Sequence, residues 1–251
     1  MIRQSVCFGC FTGGDATPEQ VIKEAARIGF KSVEMAPQEH WSLIKDSGLG
    51  IAIAVGHASL PDGLNKRENH DRIEDELAAH IELAAANEIP ALICFSGNRE
   101  GKTEAEGLAN CVEGLRRVVP LAEEKGITLC MELLNSKVNH PDYQCDSTLW
   151  GASMCRAVGS ERVKLLYDIY HMQIMEGDII RNITDYADAI GHYHTAGNPG
   201  RKDLDDEQEL YYPAIMRAIE ATGYTGYVGH EFRPKGDPLQ ALRTAYDICH
   251  V

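Results

Sequence analysis

Eight short β-branched or apolar runs alternate with longer segments of helical spacing along the whole sequence, and this alternation restricts the fold more than any other feature. The runs occupy residues 5–11, 32–36, 51–57, 91–96, 127–135, 163–170, 191–196 and 226–232. Between them, apolar residues recur at helical intervals over 18–28, 73–86, 106–124, 179–189, 212–221 and 238–249. Strands separated by whole helices cannot be joined by tight hairpins, so they must run parallel with crossover helices. The expected fold class is therefore α/β, a parallel (β/α)8 TIM barrel in one domain spanning 1–251. A chain of 251 residues fits that architecture without remainder.

Local chemistry marks the helix ends. Thr17 precedes Pro18 with Gln20 three residues on, and Asp178 and Asp237 stand just before the helical patterns that begin at Ile179 and Pro238. Gly29, Gly48, Gly126 and Gly223 close helical segments ahead of the next strand. A doubly wound open sheet would carry a glycine-rich phosphate loop after its first strand. The nearest candidate, Phe11-Thr12-Gly13-Gly14, does not match the dinucleotide fingerprint, and no GxxxxGK[ST] occurs.

Charge and composition narrow the partners. The formal net charge of −14 repels phosphate backbones, so neither a nucleic acid nor an anionic membrane surface is an expected partner, and a small molecule is. No run approaches a membrane-spanning length and the N-terminus lacks a secretion-signal pattern, which leads to the expectation of a cytoplasmic protein. The eight cysteines sit mostly in apolar runs of a chain large enough to need no staples, so they read as reduced thiols. Cys7-Phe8-Gly9-Cys10 is formally a CxxC, but with no second CxxC and no thioredoxin-like context it reads as core or pocket-wall cysteines. Asn182-Ile183-Thr184 matches a glycosylation sequon and carries no weight without a secretion signal.

In a parallel barrel, catalytic side chains converge at the carboxyl ends of the strands, and residues two apart on a strand share a face. Thr128, Cys130 and Glu132 share one face; so do Leu166, Asp168 and Tyr170, then His192 and His194, then Gly229 and Glu231. Any one of these alone is more often a helix cap or salt-bridge partner. Together, Glu132, Asp168, His194 and Glu231 place a metal-type ligand at the end of each of the last four strands. Two glutamates, an aspartate and an imidazole form an oxygen-rich set suited to Mn2+, Mg2+ or Co2+ and less to Zn2+. Carboxylates brought that close would stay protonated without a cation. Glu34 and His57 end the second and third strands, where each could orient a substrate or support a ligand. His171 lies just past Asp168, and Arg201 ends the Gly-Asn-Pro-Gly-Arg loop, where it could grip a carboxylate or hydroxyl.

At these residues the chain resembles the xylose isomerase-like TIM-barrel superfamily, in its hydroxypyruvate isomerase and ketose 3-epimerase branch. The likeness spans essentially the whole chain and is most specific at Glu132-Leu-Leu-Asn135, Tyr167-Asp168-Ile-Tyr-His171-Met172-Gln173, Gly191-His-Tyr-His194 through Arg201, and Gly229-His-Glu231-Phe232. It implies one divalent metal on Glu132, Asp168, His194 and Glu231, with Glu132 and Glu231 as an acid/base pair on opposite sides of the substrate. It also implies substrate contacts from His171 and Arg201. Hydroxypyruvate isomerases tend to have Gln at the position of His194, whereas the epimerases have His. Relatives often continue with Arg after Asn135; here Ser136-Lys137-Val138-Asn139-His140 makes a different substrate-facing loop, with Lys137 as a substrate-binding candidate. Relatives are frequently dimers or tetramers, which makes a homo-oligomer an expectation.

The implied reaction is Glu-mediated proton transfer on a small hydroxy-carbonyl substrate, hydroxypyruvate or a keto sugar, through a metal-stabilised enediolate. Three other readings compete. An inosose-type dehydratase begins with the same proton abstraction and then loses water. An apurinic endonuclease needs a richer zinc cluster and a basic track. A non-catalytic barrel would keep metal or sugar without turnover.

Overall fold

The computed structural model describes residues 2–12 and 16–251, so Gly13 and Gly14 of the weak glycine motif lie outside the described residues. The strands are β1 (Arg3–Cys7), β2 (Ser32–Glu34), β3 (Gly50–Ile51), β4 (Ala54–Val55), β5 (Ala91–Cys94), β6 (Thr128–Glu132), β7 (Val163–Asp168), β8 (Ile190–Thr195) and β9 (Tyr227–His230). The α-helices are α1 (Phe8–Phe11), α2 (Pro18–Ile28), α3 (Trp41–Asp46), α4 (His70–Ala86), α5 (Glu104–Lys125), α6 (Thr148–Val158), α7 (Ile169–Met175), α8 (Ile179–Asp185), α9 (Tyr212–Ala221) and α10 (Pro238–Cys249). Among the described residues, nine strand pieces stand for the eight expected runs because the run 51–57 is divided: Gly50–Ile51 pairs with β2 and Ala54–Val55 with β5.

The chain forms two compact units. One comprises residues up to Ala52, Asp178–Ala187 and Tyr193–Val251; the other comprises Ile53–Gly177 and Asp188–His192. In the first, β1 pairs in parallel with both β2 and β9, β2 with β3, and the second half of β8 with β9. Register aligns Ser5 with Ser32 and Gly229, Gly229 with His194, and Cys7 with Glu34. One face of these strands is therefore small and polar. The other carries Val6, Val33 and Val228, all buried, and α2 presents Val21, Ile22 and Ala25 as its own buried stripe. Such an apolar face suits covering by helices, which leaves the small, polar face to host chemistry.

In the second unit, β4, β5, β6 and β7 pair in parallel in that order, with α4 packed on α5 and α5 on α6. Gly191 at the start of β8 needs to lack a side chain, since a Cβ there would come within 2.7 Å of Lys164 Cβ.

Caps decide where helices begin. Thr17 and Thr103 each complete a reciprocal capping box, with Gln20 and Glu106 respectively. Asp237 accepts from the backbone N–H of Leu239, as expected. Asp178 does not cap with its side chain: it sits at φ 46° and its carboxylate binds Arg181 Nε at 2.6 Å. Most of the strands are shorter than their apolar runs, and two of them run directly into a helix. The run 5–11 becomes a strand only to Cys7 and then turns into α1, while the run 163–170 stops at Asp168 and turns into α7. Tyr170 therefore lies on a helix and does not share a strand face with Leu166 and Asp168. A buried apolar run cannot by itself distinguish a strand from a strand followed by one helical turn.

Candidate active site

In the second unit, Glu132 is the last residue of β6 and Asp168 the last of β7, both buried. They offer carboxylate oxygens within 4.8 Å of one another. Asp168 also performs a structural task. Its Oδ1 accepts from the backbone N–H of His171 at 3.0 Å, which caps α7 and ends the strand there. Capping uses one oxygen; Oδ2 lies 3.8 Å from His171 Nε2.

His171 is fully buried and has an assignable tautomer. Its Nδ1 accepts from the backbone N–H of Asn135 at 3.1 Å and from the Asn135 side-chain amide at 2.6 Å. A nitrogen that accepts carries no hydrogen in a neutral ring, so the hydrogen sits on Nε2, the edge toward Asp168. Asn135 is fixed in turn: its Oδ1 accepts from the backbone N–H groups of Val138 and Asn139, and its amide donates to Asn139 Oδ1. Tyr143 adds support by donating its hydroxyl to the Glu132 carbonyl and accepting from the Ser96 N–H, each at 3.0 Å. Sequence reasoning missed Tyr143, which lies in a loop with no strand-end signal, and treated Asn135 only as part of a motif.

In the first unit, His194 stands between two carboxylates. Its Nε2 is 3.0 Å from Glu34 Oε1 and its Nδ1 is 3.0 Å from Glu231 Oε2. An ionised carboxylate only accepts, so the cluster is satisfied by an imidazole with a hydrogen on each nitrogen, by a protonated carboxyl, or by a cation at one edge. Arg201 Nη2 binds the same Glu231 oxygen at 2.5 Å. The donor set of imidazole and carboxylate fits a divalent ion. Gly229 explains how Glu34 reaches His194: a Cβ at that position would lie 1.8 Å from Glu34 Oε1. The carboxylate occupies the space that glycine vacates.

The CxxC lies beside this cluster. Cys10 Sγ donates to Cys7 Sγ at 3.4 Å, and both thiols are free. The Cys10 hydrogen bond, burial and the nearby charges of Glu231 and Glu34 push the Cys7 thiol well up from its ordinary range. Cys7 is buried and Cys10 partly exposed.

Two substrate-binding candidates have other partners. His57 is buried; its Nδ1 meets the Ala58 carbonyl at 3.0 Å and its Nε2 accepts from the Phe95 N–H at 2.9 Å. Burial pushes its pKa down, which keeps the ring neutral. With both nitrogens committed to backbone, the expected polar role toward a ligand gives way to holding adjoining strand ends together. Lys137 is exposed and donates to the carbonyls of Ile174 and Met175 at 3.2 and 3.1 Å, where a cation favours the C-terminal end of α7.

The comparisons with known proteins give the family. The family model described as xylose isomerase-like TIM barrel matches residues 22–249. The chain belongs to that family, and the parallel (β/α)8 fold expected from its strand–helix alternation is the family's fold. It is 30% identical over 241 residues to a putative hydroxypyruvate isomerase of Mus musculus, covering 90% of this chain and 87% of the relative. It is 32% identical over 174 residues to hydroxypyruvate isomerase of Escherichia coli (strain K12), covering 69% and 67% respectively. Among solved structures, an AP endonuclease, family 2 from Brucella melitensis aligns with TM-score 0.86 at 26% identity over 96% of this chain and 97% of that one. D-Psicose 3-epimerase from Clostridium cellulolyticum H10 shares the fold at TM-score 0.81 and 17% identity, over 99% and 98%. The chain is an enzyme of the isomerase/epimerase class. Among the described residues, no helix is long and apolar enough to cross a membrane.

Proposed function

We propose that this enzyme is a divalent-metal-dependent isomerase or epimerase of a small hydroxy-carbonyl compound, hydroxypyruvate or a keto sugar, with Glu132 and Glu231 moving the proton. The observation that carries the reading is His194 set 3.0 Å from a carboxylate on each ring nitrogen, an imidazole-and-carboxylate donor set of the kind that suits a divalent ion. Glu132, Asp168, His194 and Glu231 would hold one ion, Mn2+, Mg2+ or Co2+, with Zn2+ less suited to so oxygen-rich a set. When bound, the ion would supply Lewis-acid stabilisation of negative charge developing on the substrate oxygens.

The chain's own residues supply the rest. Glu34 fixes the orientation of His194 through Nε2, as supporting carboxylates do for ligating imidazoles. His171, with its hydrogen on Nε2, donates to a substrate oxygen. Arg201, paired with Glu231, grips the far end of the substrate. Lys137 braces the loop that follows Asn135 rather than reaching the reacting carbon. One glutamate removes a carbon-bound proton. Return to the adjacent carbon isomerises; return to the same carbon from the other face epimerises. The relatives named hydroxypyruvate isomerase and 2-oxo-tetronate isomerase favour a short keto acid skeleton. The solved relative titled AP endonuclease raises a nucleic-acid alternative, which the net charge of −14 opposes.

A screen of the Mn2+-loaded enzyme in deuterated water against hydroxypyruvate, keto sugars and inososes tests the assignment. Deuterium enters at carbon without loss of water mass, and Glu132→Gln or Glu231→Gln lowers turnover at least ~100-fold while metal stays bound. Near-wild-type turnover in either variant refutes the acid/base roles. A dehydrated product assigns the enzyme to the lyases instead, and cleavage of an abasic duplex to the endonucleases.

A further inference from the structure

The proposed reaction makes no use of Cys7-Phe8-Gly9-Cys10. Cys7 ends β1 in register with Glu34, and Cys10 lies one helical turn on in α1. The two sulfurs and a Glu231 carboxylate oxygen all lie within 4.8 Å of one another. Cys7 is buried and Cys10 partly exposed, so the pair can be approached from the Cys10 side.

Two sulfurs this close have two outcomes, a disulfide, which needs an oxidant, and a metal chelate, which needs none. A disulfide requires an S–S separation of about 2.05 Å, a closure of more than an ångström from the observed 3.4 Å. A tetrahedral chelate with metal–sulfur bonds of about 2.3 Å sets its sulfurs roughly 3.8 Å apart, an opening of only a few tenths of an ångström. The spacing is closer to the chelate. Two thiolates and one carboxylate make a three-ligand, softer set that selects a thiophilic ion over Mg2+ or Mn2+ and leaves a fourth position for water.

We propose that Cys7, Cys10 and Glu231 form a second metal site, for a thiophilic divalent cation such as Zn2+ or Cd2+, that shares Glu231 with the site for the harder ion. Binding replaces the hydrogen on each sulfur with a metal–sulfur bond and releases two protons to solvent. One consequence rests on the proposed isomerase reading: an ion held here withdraws Glu231 from proton transfer, so thiophilic metals inhibit the enzyme at a defined place.

Titration of the whole protein with Cd2+ in excess Mg2+ tests the site without any turnover. One equivalent builds thiolate-to-cadmium charge-transfer absorption in the wild type, and Cys7→Ser and Cys10→Ser each abolish it. In the wild type, Cd2+ also protects Cys10 from iodoacetamide under native conditions, a measurement that does not depend on any variant folding. Absence of the absorption band, an undiminished band in Cys10→Ser, or Cys10 labelling indifferent to Cd2+ overturns the site. If the site stands, Cd2+ inhibition weakens at least tenfold in Cys10→Ser; an unchanged inhibition constant overturns the sharing of Glu231 while leaving the isomerase reading intact.

Discussion

Around His194, charged groups hold one another: two carboxylates, an imidazole and a guanidinium within 2.5 to 3.0 Å. Around Asn135 and His171, the supports are mostly neutral hydrogen bonds, several converging on a single side chain. The difference teaches how each cluster can respond. A charged cluster is only as stable as its charge balance, and adding or removing a cation or a proton rearranges it. A neutral network with its donors and acceptors matched is rigid and indifferent to ions, which suits residues that must hold a ring in one tautomer.

The largest expected effect is Gly229→Ala. The new Cβ would meet Glu34 Oε1 at 1.8 Å, so Glu34 must leave His194. Metal affinity falls ~100-fold, in line with loss of a supporting carboxylate, and overpacking costs about 3 kcal/mol in denaturant unfolding. A variant that keeps both values near wild type breaks the claim that Glu34 and Gly229 act together.

Acid sensitivity should belong to the same region. His230 is buried between Gln4 and Thr195, and burial pushes its pKa down to about 4. The unfolded chain takes up that proton near pH 6.5, before the folded one does. Stability is therefore whole above pH 6.5 and declines as pH falls toward 4, by about 3 kcal/mol across the window. Urea midpoints at pH 7 and pH 4.5 measure the decline; an equal decline in His230→Asn shows that it originates elsewhere.

Asn135→Ala probes the neutral region and has the smallest expected effect, about 2 kcal/mol of stability from donors and acceptors left buried. It also frees His171 to change tautomer, so turnover falls more than substrate affinity. A change confined to KM would sharpen the comparison in the opposite direction, placing Asn135 in binding alone.

Much of the site was legible because strands have a two-residue period. Pairing residues two apart put Glu132 and Asp168 on candidate faces toward the ends of the runs 127–135 and 163–170, although the strands themselves stop at those two residues. Helix caps at Thr17 and Asp237 were readable because their chemistry involves neighbours within three residues. Positions that depend on distant partners were not. His57 looked like a substrate ligand until the Phe95 N–H took its second nitrogen, and Lys137 looked substrate-facing until the end of α7 took its ammonium. Tyr143 gave no sign at all, since its partners Ser96 and Glu132 lie 47 and 11 residues away.

By itself, then, the order of residues determined the alternation of strands and helices, their parallel sense and the kind of donor set available, because these follow from local periodicity and from the connections that helices permit. The tertiary structure decided which nitrogens of His57 and His171 are committed and to what. It also decided why Gly229 must lack a side chain, and that Cys7 and Cys10 stand beside Glu231. Those outcomes turn on tenths of an ångström between segments remote in sequence, and no local pattern carries that information.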